Sequence, residues 1–296
     1  MNSRLEALVN RGYDASLVLA LASYTDEELK FASECAFEHI SRDCESVDNP
    51  SAVFIGGQPG SGKTVVSMKL KNKFENAVQI GIDNYRMYHP RYLEMEECIK
   101  RHWVNRVETE NDTPGNDIAD FTHLFAGAMT DELIDMAKNK KYNLLLEWGM
   151  REPNGPLNCM KMLKDNEYKN TVLFVSTPKE VSYSACKLRT GVFFKNSHII
   201  RNVPKSFHDY SVSTLPDSID EIYKTGYSTG IVDYMAIISR NDEILWDDRM
   251  MTNPGAVFND YVNGNVYDSI HINDVNLAVA SNFMECIGLD KKSVRR

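Results

Sequence analysis

Apolar and polar positions along the 296-residue chain follow two alternating patterns. Short unbroken apolar runs end in glycine, acid or serine, and stretches with helical spacing lie between them. Ala52-Val53-Phe54-Ile55, closed by Gly56-Gly57, is the first such run. A run without a polar break suits a strand covered on both faces, as in parallel sheets. Residues 77–82, 142–147, 171–176 and 234–239 repeat the pattern, and 243–246 add an edge hairpin. Helices are predicted after Gly62, across 130–138 with apolar spacing at Leu133, Ile134 and Met136, from Pro178 through Arg189, and over 275–286. Residues 1–50 also read as helical. There Thr25 is placed to cap a helix, Glu28 takes the reciprocal capping position, and Asp48-Asn49-Pro50 is a stop. Residues 105–120 are polar and contain Pro114-Gly115, so they read as a long surface loop.

Strands alternating with helices predict an α/β fold: a central, mainly parallel sheet flanked by helices, with helical additions at both ends. Composition supports one sizeable core. Hydrophobic residues make up 43% of the chain and charged residues 25%, so no disulfide or metal staple is needed. Thirty-three basic against 42 acidic residues leave a net charge of −9, which argues against nucleic acid or a membrane surface as the partner. The opening residues lack the apolar core of a secretory signal, and no run of 18 apolar residues is present to span a membrane. The six cysteines form no CxxC pair, which fits reduced thiols and a cytoplasmic location.

The chemistry begins where the first strand ends. Gly57-Gln58-Pro59-Gly60-Ser61-Gly62-Lys63-Thr64 fits GxxxxGK[ST] at every fixed position, between a strand and a helix. Glycines there let backbone N–H groups turn inward around phosphates, and the helix N-terminus adds partial positive charge. Lys63 is expected to reach the β- and γ-phosphates of ATP or GTP, and the Thr64 hydroxyl to bind Mg²⁺. Twenty residues on, Asp83 follows the second strand, on the edge where such sheets bind ligands. It serves either as the base that takes a proton from an attacking hydroxyl or as the cap of the next helix. His89, before Pro90, reads as a structural residue that fixes the turn after Asp83.

The cradle, followed by Asp83-Asn84-Tyr85-Arg86-Met87-Tyr88-His89-Pro90, resembles the zeta toxins of bacterial toxin–antitoxin systems. The resemblance continues through Ala128-Met129-Thr130-Asp131, the segment Tyr142-Asn143-Leu144-Leu145-Leu146-Glu147-Trp148-Gly149-Met150-Arg151, the helix from Pro178 to Arg189, and Arg201-Asn202-Val203-Pro204-Lys205. It covers about residues 24–240, leaving 1–23 as an N-terminal helical extension and 24–296 as the kinase domain with its C-terminal addition. The resemblance implies a P-loop kinase fold and transfer of a γ-phosphate to the 3′-hydroxyl of the amino sugar of UDP-N-acetylglucosamine or a related peptidoglycan precursor. It implies Asp83 as base, Lys63 and Thr64 on the nucleotide and magnesium, and Arg189 and Arg201 on the donor phosphates. Asp131, Glu147, Gly149, Arg151 and Cys159 fall at positions lining the sugar-nucleotide pocket. A small helical antitoxin is the implied partner. The chain departs from the family's pattern on the acceptor side. Gly149 and Cys159 stand where threonines are usual, Asp131 is shorter than the usual glutamate, and the segment 101–120 is longer.

Other readings stay open from the sequence. A kinase of the same fold could take an antibiotic or an NAD-like dinucleotide as acceptor. A nucleotide-binding switch ATPase would instead need a residue that positions water, whereas Asp83 sits at an acceptor position. Residues 1–23 either restrain the site or add helices to the core.

Overall fold

Each apolar run becomes a strand of one sheet. The protein is described here as a computed structural model covering residues 2–109, 112–193 and 202–264, the last five of the second stretch as backbone. In chain order the elements are α1 (Ser3–Asn10), α2 (Ala15–Ala22), α3 (Asp26–Ile40), β1 (Ser51–Gly56) and α4 (Lys63–Lys71). Next come β2 (Ala77–Gly81), a 3₁₀ segment (Ile82–Tyr88), α5 (Tyr92–Trp103), α6 (Pro114–Phe121), α7 (His123–Asn139) and β3 (Asn143–Glu147). They are followed by α8 (Asn154–Lys164), β4 (Lys169–Ser176), α9 (Lys179–Phe193), α10 (Lys205–Ser228), β5 (Tyr234–Ser239), β6 (Ile244–Asp247) and α11 (Pro254–Val262). The expected helix at 275–286 lies outside the described residues, as does Cys286. The other five cysteines are free thiols, and no helix among the described residues is long and apolar enough to cross a membrane.

The strands lie in the order β2-β3-β1-β4-β5-β6. Pairing is parallel from β2 through β5, and β6 returns antiparallel along β5 as the predicted edge hairpin. Alternate side chains of each strand point to opposite faces. On one face Phe54, Ile80, Leu146, Phe174 and Ile237 pack with α3, α7, α8, α10 and α11. On the other, Val53, Ile55, Leu145, Leu173 and Ala236 pack with Val66 and Leu70 of α4. Both faces are covered by helices, which is why the runs are so largely apolar.

A third core stands apart from the sheet. Leu5 and Leu8 of α1 and Val18 and Leu21 of α2 pack against Met95 and Ile99 of α5 and Ile118 and Phe121 of α6. The N-terminal residues therefore add helices and a core of their own. The reading of 105–120 as a surface loop holds for 105–109, which are exposed and outside any helix, and is corrected from Thr113 on. Thr113 caps α6, Pro114 occupies its first turn, and every residue from Gly115 to Phe121 is buried. Its polar residues are inside because they have partners. Tyr13 Oη donates to Asp117 at 2.6 Å and Trp103 Nε1 donates to the same carboxylate at 2.7 Å. Arg11 Nε lies 3.0 Å from the other oxygen of Asp117. The capping box at Thr25 and Glu28 forms as the sequence predicts.

His89 is structural. Its ring is 3% exposed. Nδ1 accepts the Arg91 N–H at 3.1 Å, and the ring packs edge-on to Phe125. Burial holds its pKa down at about 4, against an ordinary 6.5. The folded ring thus stays neutral where the unfolded one takes a proton. Its contribution is complete above pH 6.5 and is lost as pH falls toward 4. The loss amounts to about 3 kcal/mol at most. Urea unfolding of the protein and of His89→Gln at pH 7 and pH 5 checks this: the stability gap between them narrows in acid. A gap independent of pH would show that the ring is not held neutral.

Candidate active site

The loop between β1 and α4 is shaped by its glycines and by ties to the end of β4. Gly60 has φ +75°, and a Cβ there would lie 2.0 Å from the Ser182 carbonyl oxygen. Gly62, at φ +103°, begins α4 with no side-chain cap, which leaves the first N–H groups of the helix for an anion. Buried Gln58 donates through Nε2 to the Thr177 carbonyl, and Thr177 Oγ1 donates to the Ser61 carbonyl at 2.8 Å. Lys63 Nζ donates to the Gly57 and Gln58 carbonyls, each at 2.9 Å, so the ammonium crowns the loop. Ser61 Oγ is buried without a hydrogen-bond partner among the described residues. Left-handed glycines, an uncapped helix end and a crowning ammonium together fit a polyphosphate.

Glu147 stands at the end of β3 beside this loop. Thr64 Oγ1 donates to one of its oxygens at 2.9 Å and Gln79 Nε2 to the other at 2.7 Å. A hydroxyl and a carboxylate so placed fit a magnesium ion, which binds few protein ligands and completes its shell with water and substrate phosphate. No cluster of three or more acid, histidine or cysteine side chains suited to a metal occurs among the described residues.

Asp83 lies in the 3₁₀ segment after β2. Arg86 grips it, with Nε at 3.0 Å and Nη2 at 2.9 Å from the same oxygen. Arg86 itself is buried and held at the far side, donating to the Ala119 carbonyl at 2.9 Å and to Thr122 Oγ1 at 3.1 Å. Asp83 thus has a fixed direction although half of its side chain is exposed.

One cleft of about 340 Å³ is lined by the phosphate loop, Thr64, Asp83, Glu147, Gly149 and Arg151. Trp148, Phe207 and Arg4 line it as well. The Arg151 guanidinium stacks over the Phe207 ring at 4.3 Å. Asp131 and Cys159 are not part of this wall. They neighbour each other on α7 and α8, where burial and the charges of Asp131 and Asp135 push the Cys159 thiol up to about 12. The backbone of Arg189 belongs to α9, but its side chain, like the whole of Arg201, lies outside the described residues. Sequence reasoning assigned no role to Arg86, Phe207 or Arg4. Arg86 lies within the quoted motif, whereas Arg4 and Phe207 carry no local signal.

The zeta toxin family model matches residues 36–250. The chain is 28% identical to toxin PezT of Streptococcus pneumoniae serotype 4 over 240 residues, 80% of this chain and 87% of the relative. It is 26% identical to toxin zeta of Streptococcus agalactiae over 213 residues, 71% and 69% of the two chains. A solved structure from the PezAT chromosomal toxin-antitoxin system of S. pneumoniae shares the fold. Its TM-score is 0.67 at 24% identity, covering 90% of this chain and 99% of that one.

Two glycine substitutions should act in opposite directions. Gly60→Ala forces a left-handed residue against backbone, which costs more than about 1 kcal/mol and distorts the loop. It should weaken binding of a nonhydrolysable ATP analogue at least tenfold. In α7 a Cβ on Gly127 meets nothing within 4 Å, so Gly127→Ala should stabilise the helix by about 0.5–1 kcal/mol. Calorimetry on both variants checks the pair; unaltered nucleotide binding in Gly60→Ala would contradict the reading of the loop.

Proposed function

This chain belongs to the zeta toxin family, and from that premise we propose that it is a kinase acting on a nucleotide-activated amino sugar. The donor is ATP or GTP. The acceptor is the 3′-hydroxyl of the amino sugar of UDP-N-acetylglucosamine or a related peptidoglycan precursor, whose phosphorylation poisons cell-wall synthesis. The observation that carries this reading is the placing of Asp83 in the same cleft as the phosphate loop, with its direction fixed by Arg86.

Phosphoryl transfer asks little covalent chemistry of a protein and much positioning and charge. Lys63 and the α4 N-terminus take the donor's β- and γ-phosphates. Thr64 and Glu147 hold a magnesium ion, which supplies neutralising charge to those phosphates. Asp83 accepts the proton of the attacking hydroxyl and directs its oxygen at the γ-phosphorus. Arg189 and Arg201 are assigned to the transferring phosphoryl group, where fixed guanidinium charge stabilises the transition state. Arg151, Gly149 and Glu147 serve the acceptor from the cleft wall. The solved relative comes from a toxin-antitoxin system, and a small helical antitoxin is this chain's proposed controlling partner.

The decisive assay is incubation with ATP, Mg²⁺ and a panel of sugar nucleotides and other hydroxyl compounds, read by mass for the gain of one phosphate. Lys63→Ala should abolish the gain and leave the fold intact. Asp83→Asn keeps shape and hydrogen bonding and removes the base, so transfer should fall by about 10²–10⁴ with nucleotide affinity unchanged. Loss of ATP-analogue binding in Asp83→Asn with the maximal rate retained would instead make Asp83 a metal or capping residue. Phosphate gain on a different member of the panel alone would replace the acceptor.

A further inference from the structure

Two stretches far apart in the chain, 3–22 and 92–121, meet outside the sheet. The family match begins at residue 36, after α1 and α2. These helices pack on α5 and α6 to form the separate third core. At its centre Asp117 is fully buried and held by Tyr13, Trp103 and Arg11. One turn along α6, Asp120 takes Arg4 Nη1 at 2.9 Å on one oxygen and Arg11 on the other. Arg4 is thereby fixed at the rim of the cleft that contains Lys63, Asp83 and Arg151. A hollow of about 120 Å³ shares Arg4 and Phe207 with that cleft.

We propose that Arg4 is an acceptor-binding residue, a cation that α1 delivers to the cleft to hold a phosphate group of the acceptor. The inference rests on the phosphoryl-acceptor reading above. Two observations carry it. First, the charge of Arg4 is only partly spent. Its ion-pair partner among the described residues is Asp120, and Arg11 shares that carboxylate. The side chain remains 38% exposed, and a guanidinium carries five donors in a planar fork suited to phosphate. Second, Arg4 lines the same wall as Phe207, whose ring supports the Arg151 guanidinium. Glu152 is an acid on that wall, so an anionic acceptor needs fixed cations there to be retained. Arg4 of α1 and Arg151 after β3 supply them. The class of ligand is a hydroxyl compound bearing a phosphate or diphosphate.

The test measures KM and kcat for UDP-N-acetylglucosamine, and Kd for a nonhydrolysable ATP analogue, in the full chain. Arg4→Gln keeps a hydrogen bond to Asp120 and removes the charge; Arg4→Ala removes both. Each should raise the acceptor KM about 10- to 100-fold, the worth of one charge-assisted hydrogen bond, with kcat within about twofold and nucleotide affinity unchanged. Arg4→Lys should recover part of the loss. Asp120→Asn, which leaves the Arg4 charge in place, should not raise KM as far as Arg4→Ala. N-acetylglucosamine, which has no phosphate, should react equally poorly with the wild type and all variants. A wild-type KM in Arg4→Ala overturns this inference alone. So does a KM raised equally by Arg4→Ala and Asp120→Asn together with equal loss of melting temperature, which makes Arg4 a strut. Wild-type protein that binds the ATP analogue but no phosphate-bearing acceptor overturns the acceptor reading, and this inference with it.

Discussion

The register of three neighbouring strands determines where every chemical group in this molecule stands. Glu147, the last residue of β3, lies opposite Ile55 of β1 on one side and opposite Gly81 of β2 on the other. The phosphate loop, the 3₁₀ segment carrying Asp83, and the segment from Trp148 to Arg151 therefore leave the sheet at one level. Side chains alternate strictly along a strand, so a slip of one residue in β3 would turn Glu147 from the cleft into a packed face and bury its charge. The cost of burying Glu147 opposes that slip, and so does Asn143 at the other end of β3, which accepts the Ser51 N–H and donates to the Glu75 carbonyl. The polar residues at the two ends of β3 thus enforce the geometry of the site.

Charge in the cleft is arranged by pairing acids with fixed donors. Glu147 is held by Thr64 and Gln79, and Asp83 by Arg86. The donors are Thr64 of α4, Gln79 of β2 and Arg86 of the 3₁₀ segment itself, so each carboxylate is oriented before any substrate arrives. Preorganised charge costs no rearrangement at the moment of reaction. Arg86 shows how far the scaffolding extends, because its own position depends on a carbonyl and a hydroxyl at the end of α6.

Much of this was legible in the residues. The five parallel strands fall within two residues of the positions their apolar runs mark, since burial on both faces leaves a plain signature. The phosphate loop was equally plain, being a local motif at a strand end, whereas Asp83 alone read equally well as a base or a cap. Residues 113–120 were misread because their aspartates and asparagine look solvated. Asp117 and Asp120 are in fact matched to Arg4, Arg11 and Tyr13, about a hundred residues earlier. The helices α8 and α10 also escaped notice. The first opens on Asn154-Gly155-Pro156, a breaker signal, and the second carries Pro216 inside it. Arg4 and Phe207 lack any local pattern, and their place in the cleft depends on tertiary packing alone. Arg189 and Arg201 were reached only by resemblance.

The end of α6 is a shared hinge pin. Its Ala119 carbonyl secures Arg86, and its Asp120 carboxylate secures α1. Helix α6 cannot move without disturbing the Arg86 grip on Asp83. Local opening in proteins proceeds through contiguous cooperative units. Here one such unit spans both the outermost helices and an innermost reactive group. Whatever loosens the last turn of α6 therefore acts on the first helix and on the Asp83 turn at once.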